Sequence, residues 1–224
     1  MSQSFVSATS FNFLLPWYDQ LVARCTKEDQ VKAHLLSQIA AGQPRTVLDV
    51  GCGSGTLLTA AQELQSPSTR WCGVDLDPEI LKQARRKLSK IPAHSRPCLI
   101  RGNCQQLPFH SLSVDCVVCS LVLHHLTSQQ KQRCLNEICR VLRPGGKLFL
   151  ADFCRANHWL ASLQFLTVRF VDGWQQTRCN AAGRLPDMMS ASGLDDVSQS
   201  CVMDTPLGTI RCYSATASGH TSYC

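Results

Sequence analysis

Between Thr46 and Phe153, short apolar runs alternate with amphipathic patterns, and this alternation constrains the fold more than any other feature of the chain. "TVLDV", "WCGVDL", "PCLIRG", "VDCVVCSL" and "GKLFLADF" read as strands. Thr56 to Leu64, Pro78 to Leu88 and Ser128 to Leu142 read as helices between them. The second of these carries proline in its first turn, and "RPGG" ends the third. Glu28 to Ala41 is a further amphipathic helix, closed by Gly42 and Pro44. Strand–helix–strand repeats cross over right-handed and lay down a mostly parallel sheet with helices on both faces. The apolar runs are continuous, as strands buried on both faces require. The fold class is therefore α/β, a doubly wound, Rossmann-like sheet.

Beyond Phe153 the rhythm changes. Trp159, Leu163, Leu166, Phe170 and Trp174 recur at helical spacing with a wide apolar face, and a shorter helix follows near Leu185 to Ala191. "DDVSQSCVM" and "LGTIRCYSA" read as an antiparallel hairpin at one sheet edge. Residues 1–217 form one domain on this reading, and 218–224 a flexible tail.

A chain of 224 residues with 44% hydrophobic and 17% charged content is globular and the size of one domain. The net charge of +6 favours anionic partners only weakly. Lys82, Arg85, Arg86, Lys87 and Lys90 fit the solvated face of one helix, so no nucleic-acid partner is expected. No window reaches membrane-spanning length, and the first basic residue is Arg24, which leaves no charged start to a signal peptide. The 14 cysteines lack the spacing of a disulfide framework, so the expectation is a cytoplasmic protein with reduced thiols. Cys116 and Cys119 form the chain's C-x-x-C pair, but on a strand they point to opposite faces and cannot share a metal ion.

The loop "VLDVGCGSGTL" bears on the ligand. A triphosphate loop requires Lys-Ser/Thr after its last glycine, and Gly55 is followed by Thr56 and Leu57. A dinucleotide fingerprint is G-x-G-x-x-G, whereas here the pattern is G-x-G-x-G, which disfavours a nicotinamide oxidoreductase. Asp49, two residues before Gly51, would repel a pyrophosphate but suits an ammonium or sulfonium group. Asp75 ends the second strand twenty residues past Gly55, where a carboxylate accepts hydrogen bonds from both hydroxyls of a ribose.

With "VLDVGCGSG", "GVDLDPEIL", "GNCQQLPF", "VDCVVCSLVLHHL" and "EICRVLRPGGKLFLADF" in this order, the chain resembles the class I S-adenosylmethionine-dependent methyltransferases, most of all the small ones related to quinone biosynthesis. The likeness is close from Thr46 to Asp152 and looser elsewhere. It implies S-adenosyl-L-methionine as cofactor, S-adenosyl-L-homocysteine as product, and a small, hydrophobic or planar acceptor. By resemblance, Asp49, Gly51 and Gly53 border the methionine part, Asp75 holds the ribose, and Leu76 packs on the adenine. Asn103, where the family commonly has Asp, and Cys104, through its N–H, face the adenine edge. Ser120 offers main-chain contact near the methionine. Tyr18 and Asp19 resemble a pair preceding the first helix, which makes residues 1–28 a lid segment. Residues 154–192 fall where the family inserts substrate-covering elements, and Asn180 and Arg184 are pocket candidates there.

Methyl transfer from a sulfonium is a direct displacement, so alignment and desolvation supply most of the acceleration. A base is needed only where the acceptor must lose a proton. His124 is the candidate for substrate contact or base, and its bland alternative is a half-buried histidine with one backbone bond. His125 is assigned a structural task. No N/D-P-P-Y, Pro-Cys or basic module accompanies the fourth strand, which argues against adenine, glutamine, cytosine and RNA as acceptors. Two further readings stay open: a phospholipid or quinone methyltransferase at a membrane face, and a non-catalytic cofactor-binding partner protein.

Overall fold

The computed structural model describes residues 27–62, 69–154 and 174–218. They form a seven-stranded sheet in the order β3-β2-β1-β4-β5-β7-β6. The strands are β1 Thr46–Val50, β2 Arg70–Asp75, β3 Cys98–Arg101, β4 Val114–Ser120, β5 Leu142–Phe153, β6 Leu194–Thr205 and β7 Gly208–Ala217. The first five pair in parallel, and β7 runs antiparallel to both β5 and β6. The doubly wound sheet and its edge hairpin are as expected, with the hairpin's second strand lying inside its first.

The helices are α1 Glu28–Gly42, α2 Thr56–Ala61, α3 Pro78–Leu88, α4 Ser128–Val141, α5 Trp174–Ala181 and α6 Leu185–Ala191. Their ends follow local chemistry. Asp77 caps α3 by accepting from Glu79 N at 2.8 Å, with Pro78 at its first position. Thr127 and Gln130 form a reciprocal capping box at the start of α4. The basic residues of α3 are exposed, as a solvated face requires.

Each sheet face has its own core. Val31, Leu35 and Ile39 of α1, Leu57 and Leu58 of α2, and Leu81 and Leu88 of α3 pack on Val47, Cys116 and Val118. Leu135, Ile138 and Val141 of α4 and Leu185 and Met189 of α6 pack on Leu48, Val117, Cys119 and Leu148. Cys116 and Cys119 thus serve opposite cores, and neither can join a shared ion.

One local reading needs correction. The fifth strand begins at Leu142, because Val114 pairs with Leu142 and Cys116 with Lys147, so "RPGG" bulges out within it. His124 and His125 lie on a single 3-10 turn, Leu123–His125. The α5 residues Thr177 and Asn180 are fully buried polar groups, so an apolar count does not see the inward face. The expected helix from Trp159 to Trp174, Tyr18 with most of the lid segment, and the tail beyond Ser218 lie outside the described residues.

Candidate active site

The C-terminal ends of β1, β2, β4 and β5 share one rim, and the sequence sets a carboxylate near three of them: Asp49, Asp75 and Asp152. In open α/β sheets ligands bind outside this edge.

At β1 the chain leaves Val50 through three glycines in the left-handed region, Gly51 (φ 75), Gly53 (φ 51) and Gly55 (φ 72). Gly51 N and Cys52 N donate to Val74 O at 2.8 and 3.0 Å, which ties the loop to β2. A Cβ on Gly51 would lie 2.3 Å from a Val122 methyl, so only glycine lets the loop pass the segment after β4. A Cβ on Gly53 would meet nothing, because that position faces open space.

Asp75 braces this loop. Its Oδ2 accepts from Gly53 N at 2.8 Å and its Oδ1 from Asp77 N at 3.0 Å. A carboxylate has about four acceptor positions, so it can take ribose hydroxyls besides. Leu76, next in the chain, is 37% exposed, unusual for a large apolar side chain.

Asp49 is 2% exposed, and its Oδ2 has no hydrogen-bond partner among the described residues. Burial raises its pKa from 3.8 to about 7; Lys32 of α1 opposes the shift and Asp75 adds to it. Asn103 and Cys104 follow β3, half-buried. Asn103 Oδ1 accepts from Gln105 N at 2.9 Å, so its own turn competes for the oxygen expected to serve an adenine amino group. Ser120 ends β4 with a buried Oγ that also lacks a partner among the described residues.

The β4–β5 part of the rim is built differently. His124 is 5% exposed, and its Nδ1 lies 2.8 Å from Asp152 Oδ1. His124 N also donates to Asp152 Oδ2 at 3.2 Å. The single backbone bond of the bland alternative is replaced by a two-point attachment to a fully buried carboxylate. Asn180 Nδ2 donates to Asp152 Oδ1 at 3.3 Å and to Phe153 O at 2.7 Å. His125, assigned the structural task, is exposed. Nearby, the fully buried Lys131 donates to Leu126 O and Gln176 O, joining α4 to α5; burial lowers its pKa to about 8, against Asp152 and Cys179.

Asp152 and Lys131 were missed in the sequence. The available signal was an acidic residue at the end of the apolar run "LFLADF", matching the placement of Asp49 and Asp75. Asn180 and Arg184 also part company. Asn180 belongs to the Asp152 network, whereas Arg184 lines a groove of about 420 Å³ with Ser128, Gln132 and Cys179. None of the cofactor residues expected from the sequence lines that groove.

Residues 47–146 match the family model described as a methyltransferase domain. That span covers the glycine loop, both rim carboxylates at β1 and β2, and the histidine turn. Residues 47–146 thus form a methyltransferase domain. The ubiquinone/menaquinone biosynthesis C-methyltransferase UbiE of Klebsiella pneumoniae is 32% identical over 50% of this chain and 43% of its own length. The demethylmenaquinone methyltransferase of Lactiplantibacillus plantarum is 33% identical over 62% of this chain and 58% of its own. The chain therefore spans only about half the length of these curated relatives. Among solved structures, magnesium protoporphyrin IX methyltransferase of Synechocystis, with bound S-adenosylhomocysteine, superposes with a TM-score of 0.65. It shares 19% identity, over 88% of this chain and 84% of its own, and so shows the common fold. No described helix is long and apolar enough to cross a membrane.

Proposed function

We propose that this chain transfers a methyl group from S-adenosylmethionine to a small, hydrophobic or planar acceptor. The observation that carries the reading is the buried Oδ2 of Asp49, which has no partner among the described residues, together with the open face of Gly53. An uncompensated buried carboxylate is costly unless a cation meets it, and S-adenosylmethionine carries both an ammonium and a sulfonium. The residues present fit that ligand.

Asp49 would face the cationic methionine portion, with Gly51 and Gly53 presenting main chain to it. Asp75 would accept the ribose hydroxyls while holding the loop, Leu76 would cover the adenine, and Asn103 and Cys104 would meet its edge. Ser120 would border the methionine from β4. Tyr18 of the N-terminal segment would close over the cofactor. The cofactor, when bound, supplies a methyl group on a sulfonium, which leaves as a neutral thioether.

The protein's remaining task is to align the acceptor and to receive a proton where the acceptor carries one. The Asp152–His124 contact fixes one ring nitrogen and orients the imidazole. That pair supports a hydroxylated ring as acceptor, and the quinone C-methyltransferases among the relatives favour the same chemistry. They also favour the second reading, in which the acceptor is met at a membrane face.

A panel of phenols, quinols and phospholipid vesicles with radiolabelled S-adenosylmethionine tests the assignment. Transfer to a planar hydroxylated ring is expected, with kcat lowered about 100-fold in His124→Gln while cofactor affinity holds. Transfer only to vesicle lipids would move the site to the membrane. Cofactor binding without transfer to any acceptor would leave a non-catalytic binding protein.

A further inference from the structure

A second cluster of chemistry-bearing side chains lies where α1 meets the β6–β7 hairpin. His34 of α1, Cys201 of β6 and Cys212 of β7 each offer a ligand atom, and these atoms all lie within 4.8 Å of one another. Cys212 is fully buried, while His34 and Cys201 are half-buried.

The backbone arranges this meeting. Gln199 pairs with Tyr213 and Cys201 with Cys212, so Ser200 is an extra residue that bulges from β6. Side chains alternate faces along a strand. Without the bulge, Cys201 would oppose Arg211 and point to the face covered by α4 and α6. The inserted residue turns its thiol to the α1 face, beside Cys212; re-aiming a side chain is a common effect of such bulges. Ser200 Oγ then sits 3.0 Å from His34 Nε2 and fixes the ring against the bulge.

The geometry points to a metal site at this junction, with His34, Cys201 and Cys212 binding a soft divalent cation of the zinc class and a water or Ser200 in the fourth position. Zinc takes sulfur and imidazole ligands tetrahedrally, with ligand atoms about 3.6 Å apart, which small side-chain rotations reach from the present spacing. Two thiolates and one neutral imidazole balance a charge of +2, so the complex is neutral, as a half-buried place requires. Binding takes both cysteines as thiolates, so metal uptake releases their protons. The ion would staple α1 to the edge hairpin across a long stretch of sequence. The inference is independent of the methyl-transfer reading, because none of its three ligands is a residue assigned to the cofactor or to the acceptor.

The test uses the full chain, reduced and stripped with chelator, titrated with Co2+ and then with Zn2+. One equivalent of Co2+ should produce thiolate-to-cobalt charge-transfer absorption and intense tetrahedral d–d bands, which Zn2+ then displaces. His34→Gln and Cys201→Ser, both at half-buried positions, should each weaken uptake by at least about tenfold. Cys98→Ser, on the far edge strand, should leave it unchanged. Circular dichroism confirms that the variants are folded. Bands that persist unaltered in both His34→Gln and Cys201→Ser would overturn the site, as would the lack of stoichiometric uptake.

Discussion

Asp49 and Asp152 are both buried carboxylates at the same rim of the sheet, yet their surroundings are opposite. Asp152 accepts from His124, from Phe153 N at 2.7 Å and from Asn180, and draws α5 and the histidine turn onto β5. Asp49 keeps an oxygen that no described group satisfies. A buried polar group with every partner supplied organises the protein, whereas one left wanting stores a cost that a ligand can relieve. The surroundings of Asp152 are thus assembled before any ligand arrives, although Ser120 Oγ and Asn180 Oδ1 have no partner among the described residues. On the proposed function the β1–β2 rim is completed by its ligand.

The largest effect on stability should come from breaking the satisfied network. Asp152→Ala leaves the His124 and Asn180 donors buried without their acceptor, and should cost about 3–5 kcal/mol in denaturant unfolding. A loss below about 1 kcal/mol would show that the contacts do not organise the β4–β5 rim.

Next comes Asp75, which braces the loop and is the proposed ribose contact. Asp75→Ala removes the acceptor for Gly53 N and Asp77 N, and with it the acceptor proposed for the ribose. S-adenosylhomocysteine affinity, read by isothermal titration, should fall about 30- to 1,000-fold, while the fold loses only about 1–2 kcal/mol. A folded variant that binds within about threefold of wild type would place the ribose elsewhere.

The smallest effect is expected at Leu76. Its exposure means that Leu76→Ala should change stability by less than about 0.5 kcal/mol. Cofactor affinity should nonetheless drop about fivefold, as lost packing on the adenine. An equal loss in both readouts would make Leu76 an ordinary packing residue.

How much of this was legible beforehand depended on whether the signal was local. The parallel strands, the glycine loop, Asp49 and Asp75 are written in runs of a few residues, where apolar continuity and glycine spacing carry direct physical meaning. Asp152 looked like the end of a strand, because its partners His124 and Asn180 lie 28 residues away on either side. Lys131 looked like one polar residue on an amphipathic helix, and becomes buried only because α5 lies across it. The Ser200 bulge left no trace in the apolar pattern of β6, whose residues are mostly exposed. The burial of His124 follows from a tight 3-10 turn and from its contact with Asp152, neither of which its neighbours in the sequence describe.

The Asp49 charge is the most direct test of a rim completed by its ligand. Its folded pKa, about 7, lies above the 3.8 of an ordinary aspartate, so the folded apo-protein holds a proton that the unfolded chain has released. The unliganded fold should therefore lose stability as pH rises through that window, and the cationic cofactor should bind best once Asp49 is ionised. The decisive measurement is titration with S-adenosylmethionine between about pH 5.5 and about pH 7 on wild type and Asp49→Asn, with NAD as control. Wild-type affinity should weaken about tenfold per pH unit on the acid side, Asp49→Asn should bind weakly and without that slope, and NAD should not bind. Equal, pH-independent affinity in wild type and Asp49→Asn would contradict the account.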